Sequence, residues 1–229
     1  AAVSLRSRQE ANQVQEMKRN VLVAANLLEE GRSVDDLFGK VDRQLIDLAT
    51  GQVVPKEVVD PNAYDPRTAA KDPELGVAID PEKDLAGIKR RGKYAFVYLV
   101  RQGEEIDQVV LPVYGKGLWS TLYGFLSLRK NGRTVAGITF YEHKETPGLG
   151  GEVDNPAWKA RWPGKQVRDT SGHPIIQIER GSVSPGDPDS IHKIDGLSGA
   201  TITSRGVQNL IRYWLGPDGF GPYLEQLDR

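Results

Sequence analysis

Near its C-terminus the chain runs Asp195-Gly196-Leu197-Ser198-Gly199-Ala200-Thr201-Ile202-Thr203-Ser204. Gly196 and Gly199 permit unusual backbone angles. Ser198, Thr201, Thr203 and Ser204 each place a hydroxyl just before an apolar pattern of helical period. Any of them can cap the following helix, but a cap needs only one. A helix N-terminus is also where a phosphate is electrostatically favoured. The stretch therefore reads either as a well-capped helix entrance or as an anion site. It does not read as a serine nucleophile. The Gly-x-Ser-x-Gly elbow is absent, and closeness of His192 and Asp195 in sequence does not make a triad.

Two other glycine-bearing segments carry candidate chemistry. Tyr114-Gly115-Lys116-Gly117-Leu118-Trp119 lets backbone approach a ligand closely and offers Lys116 to an anion, or it is an ordinary inter-strand turn. Glu142-His143-Lys144-Glu145-Thr146-Pro147-Gly148-Leu149-Gly150-Gly151 is a shaped loop. Its N–H groups can face a heterocycle or an anion, and Glu145 has the chemistry of a general base. The alternative is a purely structural turn. The loop is not a P-loop, because no Gly-Lys-Ser/Thr follows at the required spacing.

Composition removes several other classes. Without cysteine there is no disulfide, thiolate zinc, cysteine-held iron–sulfur cluster or covalent c-type haem. The three histidines, His143, His173 and His192, have no metal-ligand spacing, so no metal site is expected. Thirty basic and thirty-one acidic residues nearly cancel, so no overall field draws nucleic acid. No run of about eighteen apolar residues spans a bilayer. The opening AAVSLRSRQEANQ lacks both an initiator Met and a signal-peptide core, and looks like a beginning left by removal of something.

Elements must hold these segments in place. Residues 5–30 read as a helix with Met17, Val21, Ala24, Ala25 and Leu28 on one stripe, stopped by Gly31. A second helix is expected from the Ser33 cap, with Val34, Leu37, Phe38, Val41, Leu45 and Leu48 continuing a stripe. Residues 50–92, broken by Asp-Pro steps, read as a linker or as a loop packed on the surface. From residue 93 the pattern turns to strands. One hairpin lies around Arg101–Glu104 and a second around Asn131-Gly132, with a further strand over 173–180. A last helix runs from Ser204 to Leu215 and stops at Gly216-Pro217. Strands in the middle and helices at the ends imply an α+β fold: an antiparallel sheet with flanking helices, preceded by two N-terminal helices.

Asp195, Ser198, Gly199, Ala200 and Thr201 fill the Asp-x-x-Ser/Thr-Gly-Ala-Thr pattern of FMN-binding domains flavinylated through a threonine. With YGKGLWSTLYGFLSL (114–128) and EHKETPGLGGEVDNPAWKARW (142–162), nearly the whole chain resembles the C-subunit family of bacterial Na⁺-translocating NADH:quinone reductases. That resemblance implies FMN esterified through its phosphate to Thr201 by a dedicated flavin transferase that uses FAD. It implies phosphate contacts from Ser198 and Thr203 beside Gly199 and Ala200, with Asp195 shaping the turn or assisting attachment. Leu118 and Trp119 would pack near the isoalloxazine, and Glu145, Thr146, Gly148, Leu149 and Gly150 would border the ring or ribityl chain. The fold implied is an FMN-binding domain over 93–229, with 1–92 packed on it. The implied function is electron relay between an iron–sulfur centre and another flavin in neighbouring subunits, on the periplasmic side of the inner membrane. Members carry one N-terminal transmembrane helix, absent here, so the sequence looks like the extramembrane part. The related flavoprotein subunit of Rnf-type ferredoxin:NAD⁺ oxidoreductases shares the threonine motif and an ETPGLG-like loop. The two helices expected over 5–48 and the Gly-Leu-Trp-Ser-Thr segment favour the quinone reductase family. A non-redox structural subunit is the remaining alternative.

Overall fold

Between residues 94 and 142 the β-branched and aromatic runs form four consecutive strands, as their composition requires. The computed structural model describes residues 2–227, and side chains from residue 11 onward. In chain order the elements are α1 (Ala2–Ala24), α2 (Val34–Phe38), β1 (Val41–Asp47), α3 (Pro66–Ala69), β2 (Gly76–Ala78) and β3 (Arg90–Gly92). They continue with β4 (Tyr94–Gln102), β5 (Glu105–Lys116), β6 (Thr121–Arg129), β7 (Val135–Glu142) and α4 (Pro156–Lys159). The last are β8 (Gln177–Ile178), β9 (Lys193–Ile194), α5 (Thr201–Leu215) and α6 (Gly221–Leu227). The main sheet is antiparallel in the order β1-β4-β5-β6-β7. Both expected hairpins are present. In the second, the Asn131 side chain accepts from the N–H groups of Arg133 and Thr134 at 3.0 and 2.9 Å, which fixes the turn.

The second N-terminal helix is cut short. Ser33 does cap it, accepting from Asp36 N–H at 3.1 Å, but the helix ends at Phe38 and residues 41–47 form β1 on the sheet edge. Val41 and Leu45 lie four apart, a spacing that satisfies a helical stripe and one face of a strand equally. Pairing with β4, Val41 opposite Val100 through Asp47 opposite Tyr94, decides the matter. The first helix ends at Ala24 rather than near Gly31, where Asn26 turns the chain at φ 56° and its amide donates to the Ala136 carbonyl at 2.6 Å. The strand expected over 173–180 shrinks to Gln177–Ile178, paired in parallel with β9.

Each face of the sheet carries its own core. Val97, Val109, Leu111, Val113 and Leu126 meet Val207, Leu210, Ile211 and Trp214 of α5. On the opposite face Phe96, Tyr98, Val110 and Phe125 meet Val21, Leu22 and Ala24 of α1. The Trp214 indole N–H donates to the Tyr114 carbonyl at 2.7 Å, locking the C-terminal half of α5 onto β5. No helix among the described residues is long and apolar enough to cross a membrane. Leu126, fully buried at 0% exposure, tests the α5-side core. Leu126→Ala is expected to lower the unfolding free energy by about 3 kcal/mol, read as a shifted denaturant midpoint at constant m-value.

Candidate functional site

The helix entrance starts three residues earlier than expected, at Thr201, and no side chain caps it. The four hydroxyls go elsewhere. Ser204 Oγ accepts from Leu197 N–H at 2.9 Å and closes the turn before the helix. Thr203 is buried and donates its hydroxyl to Glu145 Oε2 at 2.6 Å. Ser198 and Thr201 are exposed. Gly199 sits at φ 68°, where a side chain is strained, and so turns the chain into the helix. Ala200 beside it is buried. The first turn of α5 thus carries an exposed Thr201 and backbone N–H groups that no side chain caps.

Asp195 shapes the approach to this turn. Its carboxylate accepts from the guanidinium of Arg161 and from Val183 N–H at 2.7 Å, while its carbonyl accepts from the Trp158 indole at 2.8 Å. Arg161 and Trp158 belong to the segment just after the 142–151 loop, so that loop and the threonine motif are tied together at both ends.

Glu145 is the centre of the assembly. It is 5% exposed, yet sits in an exposed loop. Its Oε1 accepts from the N–H groups of Trp119 and Ser120 at 2.9 and 3.1 Å and from Ser120 Oγ at 3.4 Å. Its Oε2 accepts from Leu118 N–H at 3.2 Å and from Thr203 Oγ1. Burial opposes its ionisation, but hydrogen bonds from Thr203, then Trp119, Leu118 and Ser120, outweigh this and hold its pKa below the usual carboxylate value. The glutamate is therefore an anchor with its carboxylate occupied, which leaves it no free lone pair for general-base work. Ser120, within the Gly-Leu-Trp-Ser-Thr segment, closes a second tie by accepting from Lys144 N–H at 2.8 Å. Gly150 packs against the same point: a Cβ there would lie 2.6 Å from Thr203 Oγ1.

These bonds bring residues 118–120, Glu145, Gly150 and Thr203 into one cluster. Around it the surface is apolar. Trp119 is 70% exposed, Ile202 59%, Leu149 44% and Leu118 39%. Leu149 reaches Gly199, since a Cβ on that glycine would lie 2.9 Å from Leu149 Cδ2. Thr146 and Gly148 are exposed on the same loop, where the Thr146 carbonyl accepts from Leu149 and Gly151 N–H groups. On another side of Thr201 lies a cavity of about 220 Å³ that Thr201 shares with Arg180, Arg205, Glu179 and Gln208. The two arginines were not singled out from sequence. Arg205 had a signal, because a cation so near a helix N-terminus opposes the macrodipole unless an anion sits there.

Glu145→Ala strips the acceptor from three backbone N–H groups and a threonine hydroxyl. The expected loss is about 3 kcal/mol in denaturant unfolding at neutral pH. Because the folded-state pKa is depressed, this stabilisation is present above the unfolded-state value of about 4.3 and fades as pH falls through the folded-state pKa. The gap between wild type and variant is expected to close on acidification.

Known proteins resemble this chain over nearly all its length. Residues 117–216, which hold the whole cluster, match the family model of the FMN-binding domain. The chain is 48% identical over 99% of its length to the C subunit of a Na(+)-translocating NADH-quinone reductase from Pseudomonas aeruginosa, covering 88% of that protein. It is 45% identical to the corresponding subunit from Vibrio vulnificus, over 99% of this chain and 87% of that one. The crystal structure of Shewanella oneidensis NqrC superposes with a TM-score of 0.84 at 40% identity, covering 95% of this chain and 98% of that chain. The NqrC-type subunit from Parabacteroides distasonis shares the fold at TM-score 0.69 and 23% identity, covering 98% of each chain. An exposed threonine at an uncapped helix entrance, apolar side chains around it and near-full-length identity to these proteins lead to one conclusion: the chain belongs to the NqrC family, the C subunits of Na⁺-translocating NADH-quinone reductases, built on an FMN-binding domain.

Proposed function

We propose that this protein holds FMN esterified through its phosphate to Thr201 and relays electrons between an iron–sulfur centre and another flavin held by neighbouring subunits. The single observation that carries the reading is the exposed Thr201 at the start of a fifteen-residue helix with no side-chain cap. A phosphodiester at the Thr201 hydroxyl oxygen meets the positive end of the helix and its free N–H groups. The family's motif, filled residue for residue by Asp195, Ser198, Gly199, Ala200 and Thr201, supports this threonine as the attachment point.

The surrounding residues divide the work. Ser198 is exposed next to the phosphate position and is free to donate to it. Thr203 acts through Glu145, because its hydroxyl hydrogen is already committed there. Leu118, Trp119 and Leu149 offer exposed apolar surface to the ring, with Thr146, Gly148 and Gly150 forming the loop that holds Leu149. Arg180 and Arg205, lining the cavity beside Thr201, balance the phosphate charge and draw in the more highly charged FAD donor during attachment. When bound, the flavin supplies one-electron transfer; the protein's residues position it, shield one side and set its electrostatic surroundings. No acid–base pair is needed for that role, in keeping with the committed carboxylate of Glu145.

We place the cofactor-carrying unit at residues 93–229, with 1–92 packed on it and β1 finishing the edge of the sheet. The partners are the other subunits of the membrane complex and the flavin transferase. The working location is the periplasmic face of the inner membrane, reached by the family's N-terminal anchor.

Coexpression with an active flavin transferase in an exported compartment is expected to add the mass of one FMN less one water, with flavin fluorescence retained after denaturation. Thr201→Ala is expected to abolish the adduct. An unchanged mass, with the transferase active on a control, overturns the covalent reading; an adduct lost in Ser198→Ala but kept in Thr201→Ala moves the site. Arg205→Glu, on an exposed side chain, is expected to slow adduct formation by about tenfold while leaving the melting curve in place.

A further inference from the structure

A second cavity lies away from the Thr201 site. It measures about 940 Å³, within the range of small-molecule sites, and shares no residue with the cluster around Glu145. Its one residue from α5 is Trp214, thirteen positions after Thr201, which places it about 20 Å along the helix. Its lining comes from the α1-side sheet residues Phe96, Tyr98 and Phe125, from the 62–71 and 87–92 segments, and from Leu48, Ala95 and Trp214 of the α5-side core.

Its walls are aromatic. Tyr64, Tyr94, Tyr114, Tyr123, Tyr141 and Trp214 all line it, beside the aliphatic side chains of Val14, Met17, Leu48 and Ile88. The tyrosine and tryptophan rings offer faces and edges on which a planar ring stacks. The charges are one-sided. Arg43, Arg67, Lys71, Lys89 and Arg90 line the cavity against one carboxylate, Asp65, in a chain whose charges otherwise nearly cancel. Asp65 is committed to capping α3, accepting from Thr68 N–H at 2.6 Å. Arg67 pairs with Glu142 at 2.7 Å, and Arg43 lies over the Phe96 ring at 4.7 Å. Lys71 and Lys89 are exposed at the rim, with no ion pair among the described residues. Lys89 is held at φ 64° by Asp84, which accepts its N–H at 2.7 Å.

A second positive group stands behind the wall. Arg91, between the lining residues Arg90 and Gly92, is 7% exposed. It donates from Nη1 to the Gly92 carbonyl at 2.9 Å, and its Nε has no partner. Its charge acts on Tyr64 and Tyr114, two of the lining tyrosines.

We propose that this aromatic, basic-rimmed cavity is a second, non-covalent binding site for a planar aromatic anion of nucleotide size, the ring against the tyrosines and the anionic group toward Lys71 and Lys89. It is independent of the flavin reading for Thr201. The test is calorimetric titration of the chain with AMP and with naphthyl phosphate, beside adenosine, naphthol and inorganic phosphate. Saturable binding of a phosphorylated ring is expected, at least about tenfold tighter than its neutral ring or free phosphate, and weaker as salt rises. AMP alone binding marks a nucleotide site; naphthyl phosphate binding as well marks a general aromatic-anion site. Lys71→Glu with Lys89→Glu is expected to weaken binding by about tenfold or more, and Thr201→Ala to leave it unchanged. The salt dependence tests the charge requirement even where the double variant does not fold. Absence of saturable binding by both phosphorylated rings overturns the proposal, as does equal binding of the neutral rings. So does binding lost in Thr201→Ala, or binding of anionic lipid vesicles without binding of either probe.

Discussion

One buried carboxylate holds the site together. Glu145 accepts from three consecutive backbone N–H groups at residues 118–120 and from the Thr203 hydroxyl. These donors come from the β5–β6 turn and from the first turn of α5, while Glu145 itself follows β7. Successive backbone N–H groups that converge in a turn make an anion-binding nest. Here the anion is supplied from within the chain, and three distant segments are fixed by a single group. Without it, Trp119 and Leu149 would sit on two loops free to move independently of the helix that carries Thr201.

The sheet supplies the frame on which this anchor works. β5 is the central strand, paired with β4 on one side and β6 on the other. Its end leads into the 117–120 turn, and α5 lies across it, with Trp214 bonded to the Tyr114 carbonyl. One helix therefore runs from the aromatic cavity at its C-terminal end to the exposed threonine at its N-terminal end. Hydrophobic burial on the inner face of α5 sets its angle; the Glu145–Thr203 bond sets where its first turn stops. The apolar side chains at 118, 119, 149 and 202 then have no core to enter and remain at the surface, as expected for a place where another molecule packs.

Much of the frame was legible in the residues. β-Branched and aromatic runs and an Asn-Gly turn located the two hairpins, and the apolar stripe of α5 located its buried face. Legibility ended where two periodicities coincide. Val41 and Leu45 fit a helix and a strand alike, and only the vacant edge of β4 selected the strand. It ended also where hydroxyls were plentiful. Four capping groups precede or open the last helix, and none was used to cap it.

The sequence by itself determined the family, through a motif filled at every position, and determined which residues are flexible enough or apolar enough to serve. Local chemistry suffices for that, because a glycine's backbone freedom or a β-branched side chain's preference acts within a few residues. Tertiary structure alone decided what each polar group does. Thr203 and Glu145 stand 58 positions apart and are joined at 2.6 Å, so one is committed to the other. Asp195 went to Arg161 and the turn, Ser204 to the Leu197 N–H, and Thr201 was left exposed. A hydroxyl or carboxylate takes the partner that burial brings to it, and burial is a property of the folded chain rather than of any stretch of it.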